Sequence, residues 1–129
     1  MNVLFIEDDP MNRRVVSDML DVAGATMVEA EDGPAGLRLV DEHDFRMVLV
    51  DLRMPGMDGI SVIEAIRGRA DDKAGVPIIV VTADTAPDLR ERCLAAGADD
   101  LLFKPVAMDA LFDAMGRILA RDADGGLIG

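Results

Sequence analysis

The sequence predicts an α/β fold in which five β-strands, each followed by an α-helix, build a parallel sheet covered by helices on both faces. Three observations carry that expectation. The apolar runs at 2–6, 46–50 and 77–81 are continuous rather than alternating, the pattern of strands buried on both sides. Between the strand-like runs, apolar residues recur at spacings of three and four, the period of a helix packed along one stripe. The two kinds of segment alternate five times with no internal repeat and no linker, which points to a single domain with right-handed crossovers. A chain of 129 residues is long enough to bury one such core.

Asn2–Ile6 forms the first strand and stops at Glu7-Asp8-Asp9-Pro10, where Asp9 and Pro10 fit an N-cap and a first-turn proline. Val16, Met19, Leu20 and Ala23 make the inner stripe of the first helix, and Gly24 fits the position just past its end. Ala25–Ala30 is strand-like but more polar, so it belongs near a sheet edge. Gly33-Pro34 opens a second helix with Leu37 and Val40 facing inward, ending near His43. Arg46–Val50 is the third strand and delivers Asp51 to the turn Met54-Pro55-Gly56. Asp58 caps a helix with Ile60, Ile63, Ile66 or their neighbours on its stripe, stopped by Gly68, and 69–76 is a polar loop. Pro77–Val81, the most apolar strand, ends at Thr82. Thr85 and Asp88 have the spacing of a capping box for a helix carrying Leu89, Cys93 and Ala96 and closed by Gly97. Asp100–Phe103 is a short fifth strand before Lys104-Pro105, and Met108, Leu111, Phe112, Met115 and Leu119 mark the last helix. The domain is expected over 1–120, with 121–129 composed like a frayed tail. Met1 stands directly before the first strand, as at a natural start.

Composition narrows the partners. A formal net charge of −12 opposes phosphate backbones and anionic membranes, and favours cations and basic protein surfaces. Four Phe with no Trp or Tyr leave no aromatic platform for stacking bases. Neither nucleic acid nor membrane is expected. The single Cys93 allows no internal disulfide, and neither a signal peptide nor an apolar run of the ~20 residues needed to cross a bilayer is visible. A cytoplasmic location follows as the expectation.

In open parallel sheets the functional crevice lies at the carboxyl ends of the strands. That rule gathers Glu7, Asp8, Asp51, Thr82 and Lys104 at one rim. Two unit charges ~4 Å apart near a protein surface repel by roughly 4 kcal/mol, so three carboxylates there need a proton or cations. Oxygen donors without Cys or His suit Mg²⁺ or Mn²⁺ rather than zinc. A carboxylate beside a hard cation, an ammonium and a hydroxyl is equipped to attack phosphorus and form an aspartyl phosphate.

These residues, Glu7-Asp8-Asp9, Asp51 with Met54-Pro55-Gly56-Met57-Asp58-Gly59, Thr82-Ala83 and Lys104-Pro105, resemble in order and spacing the receiver domain of two-component response regulators. The resemblance runs from residue 2 to about 120. It implies a flavodoxin-like sheet of order 2-1-3-4-5 and a phosphorylation-driven switch, not an enzyme with an external product. It implies Asp51 as phosphoacceptor, with Asp8, Asp51 and the Arg53 backbone carbonyl holding Mg²⁺ and Glu7 assisting through water. Thr82 becomes the switch hydroxyl, Lys104 the phosphate-pairing ammonium, and the bond to Pro105 cis. Asp9 is a third acid whose N-cap duty would explain it without a metal. The implied donor is a phosphohistidine on a sensor histidine kinase or a histidine phosphotransfer protein. The implied output is a downstream protein docking on the fourth helix, fifth strand and fifth helix, with the oligomeric state open between monomer and weak dimer.

The family's aromatic three residues before the lysine is replaced by Leu101, so the signal is expected to leave through residues 83–97. Arg53 and Asp84 lie two beyond Asp51 and Thr82, positions that the resemblance implies flank the route by which water reaches the phosphoryl group, and opposite charges there are set to pair. Rival readings are a receiver excised from a hybrid kinase, a small aspartyl-phosphate phosphohydrolase, and a phosphorylation-independent interaction module. The hydrolase lacks a cap and a second acid after Asp51, and the intact acidic set opposes the module. His43, between Glu42 and Asp44, reads as a solvated helix-end residue, Cys93 as a buried inert thiol, and the nine Met mostly as core filling.

Overall fold

The apolar runs form β1 (Asn2–Ile6), β2 (Thr26–Ala30), β3 (Met47–Asp51), β4 (Ile78–Thr82) and β5 (Asp100–Phe103) in the computed structural model, which describes the backbone of residues 1–128 and the side chains of residues 1–121. All neighbouring strands pair in parallel, in the order β2-β1-β3-β4-β5. The central strands β3 and β4 are buried at every position, whereas the more polar β2 lies at an edge. Asp51 is the last residue of β3 itself and not the first beyond it.

The helices are α1 (Pro10–Val22), α2 (Gly33–Glu42), α3 (Gly59–Arg67), α4 (Leu89–Ala96) and α5 (Met108–Ile128). Side chains alternate across each strand and so feed two cores. Leu4, Ile6, Val48, Val50, Ile78 and Val80 meet α2, α3 and α4 on one face. Val3, Phe5, Leu49, Ile79 and Val81 meet α1 and α5 on the other. Each such buried side chain contributes roughly 1.5–3 kcal/mol, which makes the sheet a rigid platform for whatever its ends carry.

Asp9 and Asp58 cap their helices as the sequence predicts, and Asp32, not expected from the sequence, caps α2; the three accept from the backbone N–H groups of Met11, Ser61 and Ala35 at 2.8–2.9 Å. The start of α4 is not capped in this way. Asp88 precedes α4 without a side-chain cap bond, and the box expected from Thr85 and Asp88 does not form. Asp84, one residue earlier, takes the turn instead, its Oδ1 accepting from Ala86 N–H at 3.0 Å. In α3 the buried stripe is Val62, Ile63 and Ile66, with Ile60 only half-buried, and the polar loop 69–76 contains a 3-10 turn at Asp72–Gly75. Apart from Arg121 and the helical backbone up to Ile128, the tail expected over 121–129 lies outside the described residues.

At the amino end of β5 the fold is tied by arginines. Arg67 donates to the carbonyls of Gly97, Ala74 and Val76 at 2.6–2.8 Å and to Asp99 Oδ2 at 3.1 Å. Asp99 Oδ2 also accepts from Ile78 N–H, and Arg121 meets Asp99 Oδ1 at 2.8 Å. Buried Asp100 accepts from Leu101 N–H, from Arg90 on α4 at 3.2 Å and from Arg117 on α5 at 3.0 Å. One carboxylate thereby joins two helices across the edge strand.

Candidate functional site

The opposite end of the sheet carries the acids. Glu7 follows β1 with no exposed surface, Asp51 ends β3 at 4% exposure, and Asp8 is exposed beside them. Each offers an oxygen within 4.8 Å of the others, the one such group of potential metal ligands among the described residues. Lys104 reaches in from beyond β5, with Nζ 2.7 Å from Glu7 Oε1 and 3.4 Å from Asp51 Oδ2. The Lys104–Pro105 bond is cis.

Local geometry explains why Asp51 is presented here. Gly59 N–H donates to Leu52 O at 3.0 Å, seating the start of α3 on the loop that follows Asp51. A Cβ on Gly59 would strike the Asp51 carbonyl oxygen and come within 2.8 Å of Leu52 Cα, so only glycine permits the approach. Gly56, at φ +81°, turns the same loop in the left-handed region.

The charge is not settled within the protein. Burial, then the hydrogen bond and charge of Asp51, push the Glu7 carboxyl up to about 7, against the pull of Lys104 and Asn12. Glu7 Oε1 accepts from Asn12 and Lys104, but its buried Oε2 has no partner. Burial alone would lower Lys104, yet the bond to Glu7 and the charge of Asp51 outweigh it and hold the ammonium charged. An orphaned buried carboxylate oxygen beside two further acids, with oxygen donors only, fits a hard divalent cation and does not fit zinc.

The remaining expected residues fall into place around this pocket. Thr82 is buried, and its Oγ1 accepts from Asp84 N–H at 3.0 Å. Ala83 is exposed between them. Arg53 and Asp84 do pair, at 2.7 Å, and that bond with the one from Ala86 N–H holds Asp84 below the usual carboxylate range. Arg53 N–H also makes a long bond, 3.5 Å, to Asp51 Oδ1. Asp9 caps α1 and stands outside the three-acid group. Leu101 is buried in the core beneath α3 and α4, while the aromatic of β5 is Phe103, half exposed and in register with Thr82.

Two contacts were not read from the sequence. Asn12 donates to Glu7 Oε1 at 2.7 Å, and Arg13 Nη1 donates to the Glu7 carbonyl at 2.7 Å. The available signal was helical spacing: Asn12 lies four residues after Asp8, on the first turn of α1 that faces the rim.

A family model described as the response regulator receiver domain matches residues 3–116. The chain belongs to that family. Receiver domains are phosphoacceptor switches that work with histidine kinases or phosphotransfer proteins. The sensor histidine kinase RcsC of Salmonella typhi is 36% identical over 111 residues, covering 86% of this chain but 11% of the kinase. The chain thus spans about a tenth of the length of such relatives. The receiver domain of sensor histidine kinase PA1611 from Pseudomonas aeruginosa, solved with a magnesium ion coordinated in its active site cleft, is 34% identical with a TM-score of 0.81, covering 90% of this chain and 94% of that one. The chemotaxis protein CheY4 of Vibrio cholerae is 29% identical with a TM-score of 0.82, covering 90% and 96%. Among the described residues, no helix is long and apolar enough to cross a membrane.

Proposed function

We propose that this receiver accepts a phosphoryl group on Asp51 from a phosphohistidine of a sensor kinase or phosphotransfer protein, and that the modified site re-sets a protein-binding surface. The observation that carries the reading is the placement of Lys104 between Glu7 and Asp51, beside an acid group with one buried oxygen unpaired. Asp8, Asp51 and the Arg53 carbonyl would hold Mg²⁺, with Glu7 assisting through water. Bound there, the ion supplies positive charge to offset the oxygens of the transferring group. An Asp51 carboxylate oxygen attacks phosphorus as the P–N bond breaks, and the electron pair of that bond returns to the ring nitrogen, so that the donor, whose other ring nitrogen carries the proton, leaves as neutral imidazole. Lys104 follows the new charge on Asp51, and the Thr82 hydroxyl donates a hydrogen bond to a phosphoryl oxygen.

Thr82 already accepts from Asp84 N–H, so its movement pulls on the loop that leads into α4. With Leu101 packed in the core, the route outward runs through residues 83–97 rather than through an aromatic rotation. The downstream partner docks on α4, β5 and α5, which expose Leu94, Phe103 and Met108. The Arg53–Asp84 pair across the mouth slows water and sets the lifetime of the phosphorylated form. Buried Cys93 and the strongly acidic composition fit a cytoplasmic protein whose receiver unit is 1–120. Because its relatives carry this domain as a small part of a sensor kinase, a second reading is a receiver module working within such a phosphorelay.

The test is exposure to Mg²⁺ and acetyl phosphate followed by intact mass. A lasting gain of one phosphoryl group on the parent, absent from Asp51→Asn, is the expected result. Donor turnover without an adduct would replace the switch by a hydrolase, and no reaction would leave a binding module.

A further inference from the structure

Asn12 makes a rim contact that the acids and Lys104 do not require. Its side-chain amide and Lys104 Nζ both donate to Glu7 Oε1, each at 2.7 Å. They approach from different elements, Asn12 from α1 and Lys104 from beyond β5. A carboxylate is free to turn about its last carbon–carbon bond, and two donors converging on one oxygen remove that freedom. The Glu7 main chain is fixed too, because its carbonyl accepts from Arg13 Nη1 at 2.7 Å and its N–H donates to Ala30 O at 3.0 Å. What remains is Oε2, fully buried and without a partner.

The chemistry of the second donor matters. An arginine or lysine at position 12 would satisfy Oε1 equally well, but would add a positive charge that repels a divalent ion. An amide donates without charge. It also covers Glu7 when Lys104 leaves: Lys104 is shared with Asp51 at 3.4 Å, and with no other donor on Oε1 its departure would strip a buried carboxylate of every hydrogen bond.

We infer that Asn12 is a positioning residue of this site: its amide anchors Glu7 Oε1 so that Oε2 is held for the cation and Lys104 is released to follow charge on Asp51. The inference rests on the reading of the rim as a Mg²⁺ site. It is tested by titrating Mg²⁺ into the metal-free protein and following backbone-amide NMR shifts of Glu7, Asp8 and Asp51, with melting temperature recorded for each variant. Asn12→Leu removes the donor at similar volume, and Asn12→Ala removes it with a residue that favours the helix. Both are expected to weaken Mg²⁺ binding about tenfold, the usual scale for losing a partner that orients a metal ligand. A role confined to packing would lower the metal-free melting temperature and leave the affinity alone. Affinities within twofold of the parent, while Asp8→Asn abolishes binding, would overturn the role of Asn12 and keep the rim. A parent that binds no Mg²⁺, or an Asp8→Asn variant that binds as the parent does, would remove both.

Discussion

At one end of the sheet three carboxylates face one ammonium, and at the other two carboxylates face four guanidinium groups. Both ends bury acids: Glu7 and Asp51 at the rim, Asp100 at the amino end of β5. Their chemistry diverges. Glu7 is pushed up to about 7, because burial and Asp51 outweigh its two donors. Asp100 is also raised by burial, but Leu101 N–H, Arg117 and Arg90 more than reverse it and leave its carboxyl below the ordinary range. Burial by itself therefore decides neither outcome. Where every carboxylate oxygen meets a donor, the acid is a structural tie, and where one oxygen is left over, the fold is holding a place for something else.

The arginine end should break most visibly. Arg67→Ala removes donors from three carbonyls and from Asp99, so urea unfolding should report a loss of about 3 kcal/mol. Mg²⁺ affinity at the rim should not change, and a matching loss there would show that the two ends are not independent.

The next effect is a pH dependence confined to the rim. The folded chain keeps the Glu7 proton up to about pH 7, whereas an unfolded carboxyl of this kind releases it near 4.5. Between those values the folded state binds more proton, so stability contributed by Glu7 is full at low pH and is lost as pH rises through about 7. The size should be about 3 kcal/mol, and Mg²⁺ should abolish the decline because it favours the ionised form. Asp100, held low, works in the other direction: its contribution is present above the ordinary carboxylate range and lost only in acid. Unfolding curves across pH in EDTA and in Mg²⁺ separate the two.

A smaller effect concerns the mouth of the rim. Asp84→Ala unpairs the largely exposed Arg53. The half-life of phosphorylated Asp51 should change several-fold, with the rate of phosphorylation nearly constant. Equal half-lives would leave the pair as a surface contact of no consequence.

The rim was largely legible in the sequence, since strand-end positions follow from apolar runs, and one rule about parallel sheets gathers Glu7, Asp8, Asp51, Thr82 and Lys104. Even the pairing of Arg53 with Asp84 could be expected from two offsets of two residues. The strand order was not legible in the same way; it came with the family resemblance. The arginine end was invisible, because Arg67, Arg90, Arg117 and Arg121 come from three helices and only tertiary packing brings them to Asp99 and Asp100. Stopping the third helix at Gly68 and starting the fifth strand at Asp100 says nothing of the bonds that Arg67 and Asp100 make. Thr85 and Asp88 mislead for a related reason: the capping signature is local, and the turn before α4 is held by Asp84, which accepts from Ala86 N–H.

The contrast between the two ends is tested most directly by neutralising one acid at each and unfolding the metal-free proteins in urea at about pH 8, where Glu7 is ionised. Asp8 has no cationic partner among the described residues, so Asp8→Asn removes only repulsion and should stabilise the chain by about 1 kcal/mol. Asp100→Asn weakens two ion pairs on a buried carboxylate and should destabilise it by about 2 kcal/mol. Opposite signs are the predicted result, and a loss of stability in both variants would contradict the account.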